Sequence, residues 1–88
     1  MRISDKKREK ISEQILALLF ENSPKLLFTS HVAMEIARDE EFVKELLIEL
    51  KKKGLVNSVN KNPEGIIYIR RLRWKLSDKA YIIYKNNQ

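Results

Sequence analysis

The sequence contains no cysteine, so a disulfide framework, a cysteine-ligated zinc finger and a thiol nucleophile are excluded by count alone. Histidine occurs once, as His31, and no serine or carboxylate spacing near it suggests a triad or a paired metal site. It reads as a polar residue at a helix start. Glycine occurs only twice, and the turn "KNPEG" has a single glycine and no helix behind it, which is not the pattern of a phosphate-cradling loop. No catalytic residue, metal ligand or cofactor is expected, and the chain reads as a non-enzyme. No apolar run approaches the roughly 18 residues that span a bilayer, and the opening "MRISDKKREK" lacks the apolar centre of a secretory signal. The expectation is a cytoplasmic protein without a membrane contact.

What is present is a foldable mixture with a heavily charged surface, since 43% of the 88 residues are hydrophobic and 34% charged. That length supports one domain and one core, spanning 1–88. A net charge of +6 points to an anionic partner, with nucleic acid first. The charge is unevenly placed. Residues 1–10 carry +3, residues 39–50 carry −4, residues 51–59 carry +3 and residues 60–88 carry +5. Cations therefore gather toward the ends, around an acidic block.

Apolar spacing divides the first half into helices. Ser4 or Asp5 caps a first helix over about residues 5–22, with Ile11, Ile15, Leu18 and Leu19 on one face, and "NSPK" stops it at Pro24. "LLF", Leu26 to Phe28, is either a brief strand or core filler. Thr29 or Ser30 caps a second helix over about residues 30–37, whose inward residues are Val32, Ala33, Ile36 and Ala37. Asp39 caps a third over about residues 40–53, with Val43, Leu46, Leu47 and Leu50 as its buried stripe. Three lysines and Gly54 end it, because cations suit the negative helix terminus and glycine accepts a left-handed cap.

Beyond Gly54 the period changes to that of strands: a hairpin over about residues 55–76 is followed by a short helix at about 78–85, which Ser77 caps. In "IIYIRRLRWKL", Ile66, Tyr68, Leu72, Trp74 and Leu76 share one face with Arg70, while Arg71, Arg73 and Lys75 make a basic row on the other.

Helix, extended piece, helix, tight turn, helix, hairpin and closing helix is an order that resembles the winged helix-turn-helix superfamily. "VAMEIARDEEFVKELLIELKKKGLV" carries the resemblance: a small-residue turn, then a leucine-spaced helix closed by Gly-Leu-Val. It covers Ile11 to Tyr84, with Ala37 standing where the turn often has glycine. The ending "RWKLSDKAYIIY" is similar to the strand-to-helix junction of archaeal members, in which a C-terminal helix often supports dimerisation. The resemblance implies an α+β, mostly helical fold with a three-helix core, a two-stranded wing and a short C-terminal helix. It implies a transcriptional regulator that binds double-stranded DNA.

In that superfamily the third helix reads the major groove and the wing grips the backbone or minor groove. Carried onto this chain, the reading face is Glu40, Glu41, Lys44, Glu45 and Ile48, a mostly acidic set, so the attraction is expected from elsewhere. Arg70, Arg71, Arg73, Lys75 and Lys61 supply it from the wing, with Lys6, Lys7 and Arg8 from the N-terminus and Ser30 and His31 at the second helix start. The acids have a purely structural explanation too: Asp39, Glu40 and Glu41 complement the helix dipole, and Glu45 and Glu49 suit pairs with Lys52 or Lys53. The basic row likewise suits a solvated strand face that discourages aggregation. A different function follows if Glu40, Glu41, Phe42, Glu45 and Ile48 dock a basic protein partner. Trp74 reads as core beneath the wing. Tyr81, Ile82 and Tyr84 make the last helix apolar nearly all round, which suits a homodimer contact or packing on the first helix.

Overall fold

The computed structural model describes residues 4–59 and 72–87. Helix α1 (Asp5–Asn22) leads to strand β1 (Leu27–Phe28), then α2 (Thr29–Glu35) and α3 (Glu40–Lys52). Strands β2 (Val56–Val59) and β3 (Arg73–Leu76) follow, and α4 (Asp78–Asn86) closes the chain. Together these form a mostly helical α+β winged helix-turn-helix. The segment carrying Lys61, Arg70 and Arg71 lies outside the described residues.

Local chemistry sets the helix starts. The hydroxyl of Ser4 accepts a hydrogen bond from the Lys7 amide at 3.3 Å, Asp39 accepts from Phe42 at 3.1 Å, and Ser77 accepts from Ala80 at 3.1 Å. Each satisfies one of the amides that a first turn leaves without an internal partner. The second helix departs from the expectation. It begins at Thr29 with Phe28 in the cap position and no side-chain cap. The Thr29 hydroxyl is engaged instead by the Trp74 indole, which donates to it at 2.7 Å in a buried setting. The same helix stops at Glu35 because Ala37 turns left-handed, with φ at 54°, so Ala37 is exposed and only Val32, Ala33 and Thr29 are buried. Gly54 takes φ 76° after α3, as a glycine terminator should.

Among the described residues the sheet has three strands, one more than a simple wing. Leu27 and Phe28 pair with Trp74 and Arg73, placing β3 between β1 and β2 in an antiparallel sheet. Burial of Leu27 beside Trp74 makes that short strand more than filler. One continuous core results, with Ile11, Ile15, Leu16 and Leu19 from α1 meeting Val43, Leu46, Leu47 and Leu50 from α3. Leu16 is buried and Leu18 half-buried, a small rotation of the expected face. Fully burying a side chain of this size contributes about 1.5–3 kcal/mol, so the α3 stripe alone fixes which side of that helix remains for a partner.

Candidate nucleic-acid interface

With Val43, Leu46, Leu47 and Leu50 turned inward, α3 presents Glu40, Glu41, Glu45 and Ile48 to solvent, and Lys44 half-buried beside them. Its flank facing α1 is closed. The Arg8 guanidinium donates to the Glu49 carboxylate at 2.7 Å and lies 5.6 Å from the centroid of the Phe42 ring. A cation held over an aromatic face while paired to a carboxylate serves both. Glu49 is thus paired across the fold, and its expected partner Lys53 is not the one it uses. At the far end of α3, the Lys51 ammonium donates to the Ser58 hydroxyl at 2.9 Å, tying the helix to β2.

The two candidate surfaces on α3 are therefore unequally furnished. Phe42 is half-buried, packed against the core with the Arg8 guanidinium over its ring. Ile48 remains outward at 37% exposure, in line with the three exposed glutamates. Among the N-terminal bases, Lys6 and Lys7 are exposed, whereas Arg8 is committed to α3. Ser30 is exposed in the first turn of α2, and His31 follows it with its Nε2 3.7 Å from a Glu35 oxygen.

Strand register sorts the wing residues onto two faces. Leu27, Trp74, Val56 and Leu76 are buried on the inner face, against the helices. Arg73 and Lys75 alternate with them and lie half-buried on the outer face, paired with Val59 and Asn57 of β2. Ser58, which α3 reaches through Lys51, is in register with Trp74 and so belongs to the inner face. Arg73 and Lys75 consequently face away from α3. Sequence alternation gave the two faces, but the pairing that reveals which one the helices cover involves residues far apart in the chain.

Phe28 is a surface residue that the sequence reading passed over. It sits opposite Arg73 on the outer face and is 41% exposed. Alternation within "LLF" next to a buried Leu27 was the available signal. In α4, Tyr81 and Tyr84 pack on Phe20 of α1 with ring centroids 5.4 and 5.7 Å apart, while Ile82 and Ile83 are 56% and 47% exposed. Burial first, and the nearby Glu13 charge second, push the Tyr84 phenol above its ordinary 10.0. Among the described residues no cluster of three or more His, Asp or Glu side chains could hold a metal, and no helix is long and apolar enough to cross a membrane.

No protein-family model matches the chain, and no curated protein matches it in sequence. Solved structures do match in shape. MepR from S. aureus, in a complex with DNA, superposes with a TM-score of 0.72 at 19% identity, covering 94% of this chain and 68% of that one. A mutant of ZitR from Lactococcus lactis gives 0.70 at 23% identity, covering 99% of this chain and 55% of that one. The PcaV transcriptional regulator from Streptomyces coelicolor, with its natural ligand, gives 0.66 at 20%, covering 84% and 48%. The chain spans about half the length of the ZitR and PcaV structures. At these identities the likeness is one of fold.

Proposed function

We propose that this chain is a duplex DNA-binding transcriptional regulator, with α3 approaching the major groove and cations beside it supplying most of the attraction. The carrying observation is the winged-helix fold itself, one solved example of which is bound to DNA, on a chain of net charge +6. The exposed face of α3 is a weak groove reader, because Glu40, Glu41 and Glu45 meet phosphate with like charge. Two like unit charges about 4 Å apart repel by about 1 kcal/mol even in water. Lys44 on that face, Lys6 and Lys7 at the N-terminus, the lysines closing α3 and the cations of the wing offset this. The reading also includes a homodimer through α4, where Ile82 and Ile83 face outward and the two tyrosines shape their backing.

Titration of a labelled mixed-sequence duplex across a salt series tests the proposal. Log affinity should fall linearly with log salt, by about 0.9 for each phosphate neutralised. Binding that is absent at low salt, together with capture of one basic protein partner, would instead support docking through Glu40, Glu41, Glu45 and Ile48. That reading is favoured by the exposure of those four residues and weakened by the covering of Phe42.

A further inference from the structure

Met34 is the most exposed of the large apolar side chains among the described residues, at 74%, and neither the core nor the duplex contact uses it. Thr29, Val32 and Ala33 take up the inner face of α2, so Met34 projects from the opposite side. It shares that side with His31, three residues before it, and Glu35, one residue after. Residues three and four apart on a helix have their Cβ atoms about 5–6 Å apart, so an imidazole, a thioether and a carboxylate meet on one solvent-facing patch. The chain has one histidine and, beyond Met1, one methionine. Both lie within a single turn of α2. The His31 Nε2 is 3.7 Å from a Glu35 oxygen, and both side chains are partly exposed.

We propose that His31 and Met34 bind a soft monovalent metal ion, copper(I), with Glu35 orienting the imidazole. Thioether sulfur selects copper(I), and imidazole nitrogen suits copper as well. Harder ions fit this trio less well. Calcium takes about six to eight oxygen ligands and structural zinc about four ligands in all, and among the described residues no cluster of three His, Asp or Glu side chains supplies either. Glu35 stands where a supporting carboxylate belongs: it accepts the N–H of one ring nitrogen, fixes the ring and leaves the other nitrogen for the ion. At 3.7 Å that contact is slightly open, and a bound cation favours its closing because it makes the ring N–H a better donor. The sequence expectation of no metal ligand weighed histidine against carboxylates and hydroxyls, and the donor it left out is a thioether. The lysines that carry the proposed duplex contact play no part in this site, so the two stand independently.

Anaerobic titration of the full chain with copper(I), in competition with the chromophoric chelator bicinchoninate, measures the affinity. Silver(I), a closed-shell ion of the same charge, serves for NMR. One ion should bind per chain, and the His31 ring and Met34 methyl resonances should shift together. Glu35→Gln should weaken copper(I) by about tenfold, the scale of a lost supporting carboxylate. Met34→Leu and His31→Gln each remove a ligand and should cost more, although Met1 remains in both. All three replacements fall outside the core, so thermal melts of the variants without metal should match the parent. Copper(I) held as tightly by Met34→Leu as by the parent, silver shifts that leave His31 and Met34 unmoved, or tighter binding of zinc than of copper(I) would overturn the inference. Absence of duplex binding in the salt series would overturn the function proposed above and leave this site standing.

Discussion

The hydrogen bond from Trp74 to Thr29 joins the first turn of α2 to the central strand across 45 residues, and its removal has a calculable effect. Thr29→Val keeps the side-chain shape and deletes the acceptor. Trp74 is 1% exposed and Thr29 9%, so water does not replace the lost partner and the indole N–H remains buried without one. An orphaned buried donor costs about 1–3 kcal/mol. In a domain of this size each kcal/mol moves the melting temperature by roughly 4–8 °C, which puts the expected drop well above measurement error. Thermal unfolding followed by circular dichroism gives the number. A cycle with Trp74→Phe separates the bond from the packing, because the hydroxyl's removal should cost little once the indole N–H has gone. A Thr29→Val melt within about 0.5 kcal/mol of the parent would refute the assignment of this bond as a strut between sheet and helix-turn-helix.

Two backbone substitutions should act with opposite signs. Ala37→Gly relieves a left-handed alanine, worth about 1–2 kcal/mol, against about 0.4–1 kcal/mol of added chain entropy, so chemical denaturation should show a gain of up to about 1.6 kcal/mol. Gly54→Ala meets no atom within 4 Å and should cost about 1 kcal/mol from conformation alone, by the same assay. Glu49→Gln breaks the partly exposed pair with Arg8 and should change stability by less than about 1 kcal/mol while strengthening duplex binding, read by polarisation at low salt. The raised Tyr84 pKa means that the folded state holds the phenolic proton more tightly than the unfolded chain. Its contribution to stability is complete below pH 10 and is lost as pH rises through the folded value, so denaturant midpoints should fall in alkali, and less so in Tyr84→Phe.

The helix starts were legible because a cap works over three residues: Ser4, Asp39 and Ser77 each bond the amide that their spacing implies. The inner stripe of α3 was legible for a similar reason, since Val43, Leu46, Leu47 and Leu50 are all set by the helical period. Contacts between distant residues were not. Thr29 looks like a cap in isolation, yet Trp74 claims its hydroxyl. Arg8 looks like a free N-terminal cation, yet Glu49 and Phe42 hold it. Tyr81 and Tyr84 suit a second copy equally well until Phe20 is placed beneath them. In each case a residue with two chemically adequate uses was assigned by its distant neighbour, which periodicity does not encode.

The same placement refines how a basic protein tolerates an acidic helix at its candidate interface. Residues 39–50 carry −4, but Glu49 is neutralised by Arg8 and Asp39 is turned back to cap its own helix, so the solvent face is less acidic than the sequence total. Lys51, Lys52 and Lys53 follow directly, giving α3 an acidic first half and a basic end. A duplex approaching this element is repelled at the N-terminal turns that usually read bases and attracted at the end nearest β2. Base reading by three glutamates would need cytosine amino groups in register with them, whereas attraction at the lysine end needs only phosphate. Specific recognition is consequently the costlier outcome for this surface, and backbone-led binding with shallow sequence preference is the one its electrostatics favour. Glu40→Gln with Glu41→Gln separates these alternatives: backbone-led binding should tighten on every duplex alike, whereas loss of affinity confined to one sequence would show that the carboxylates read bases after all.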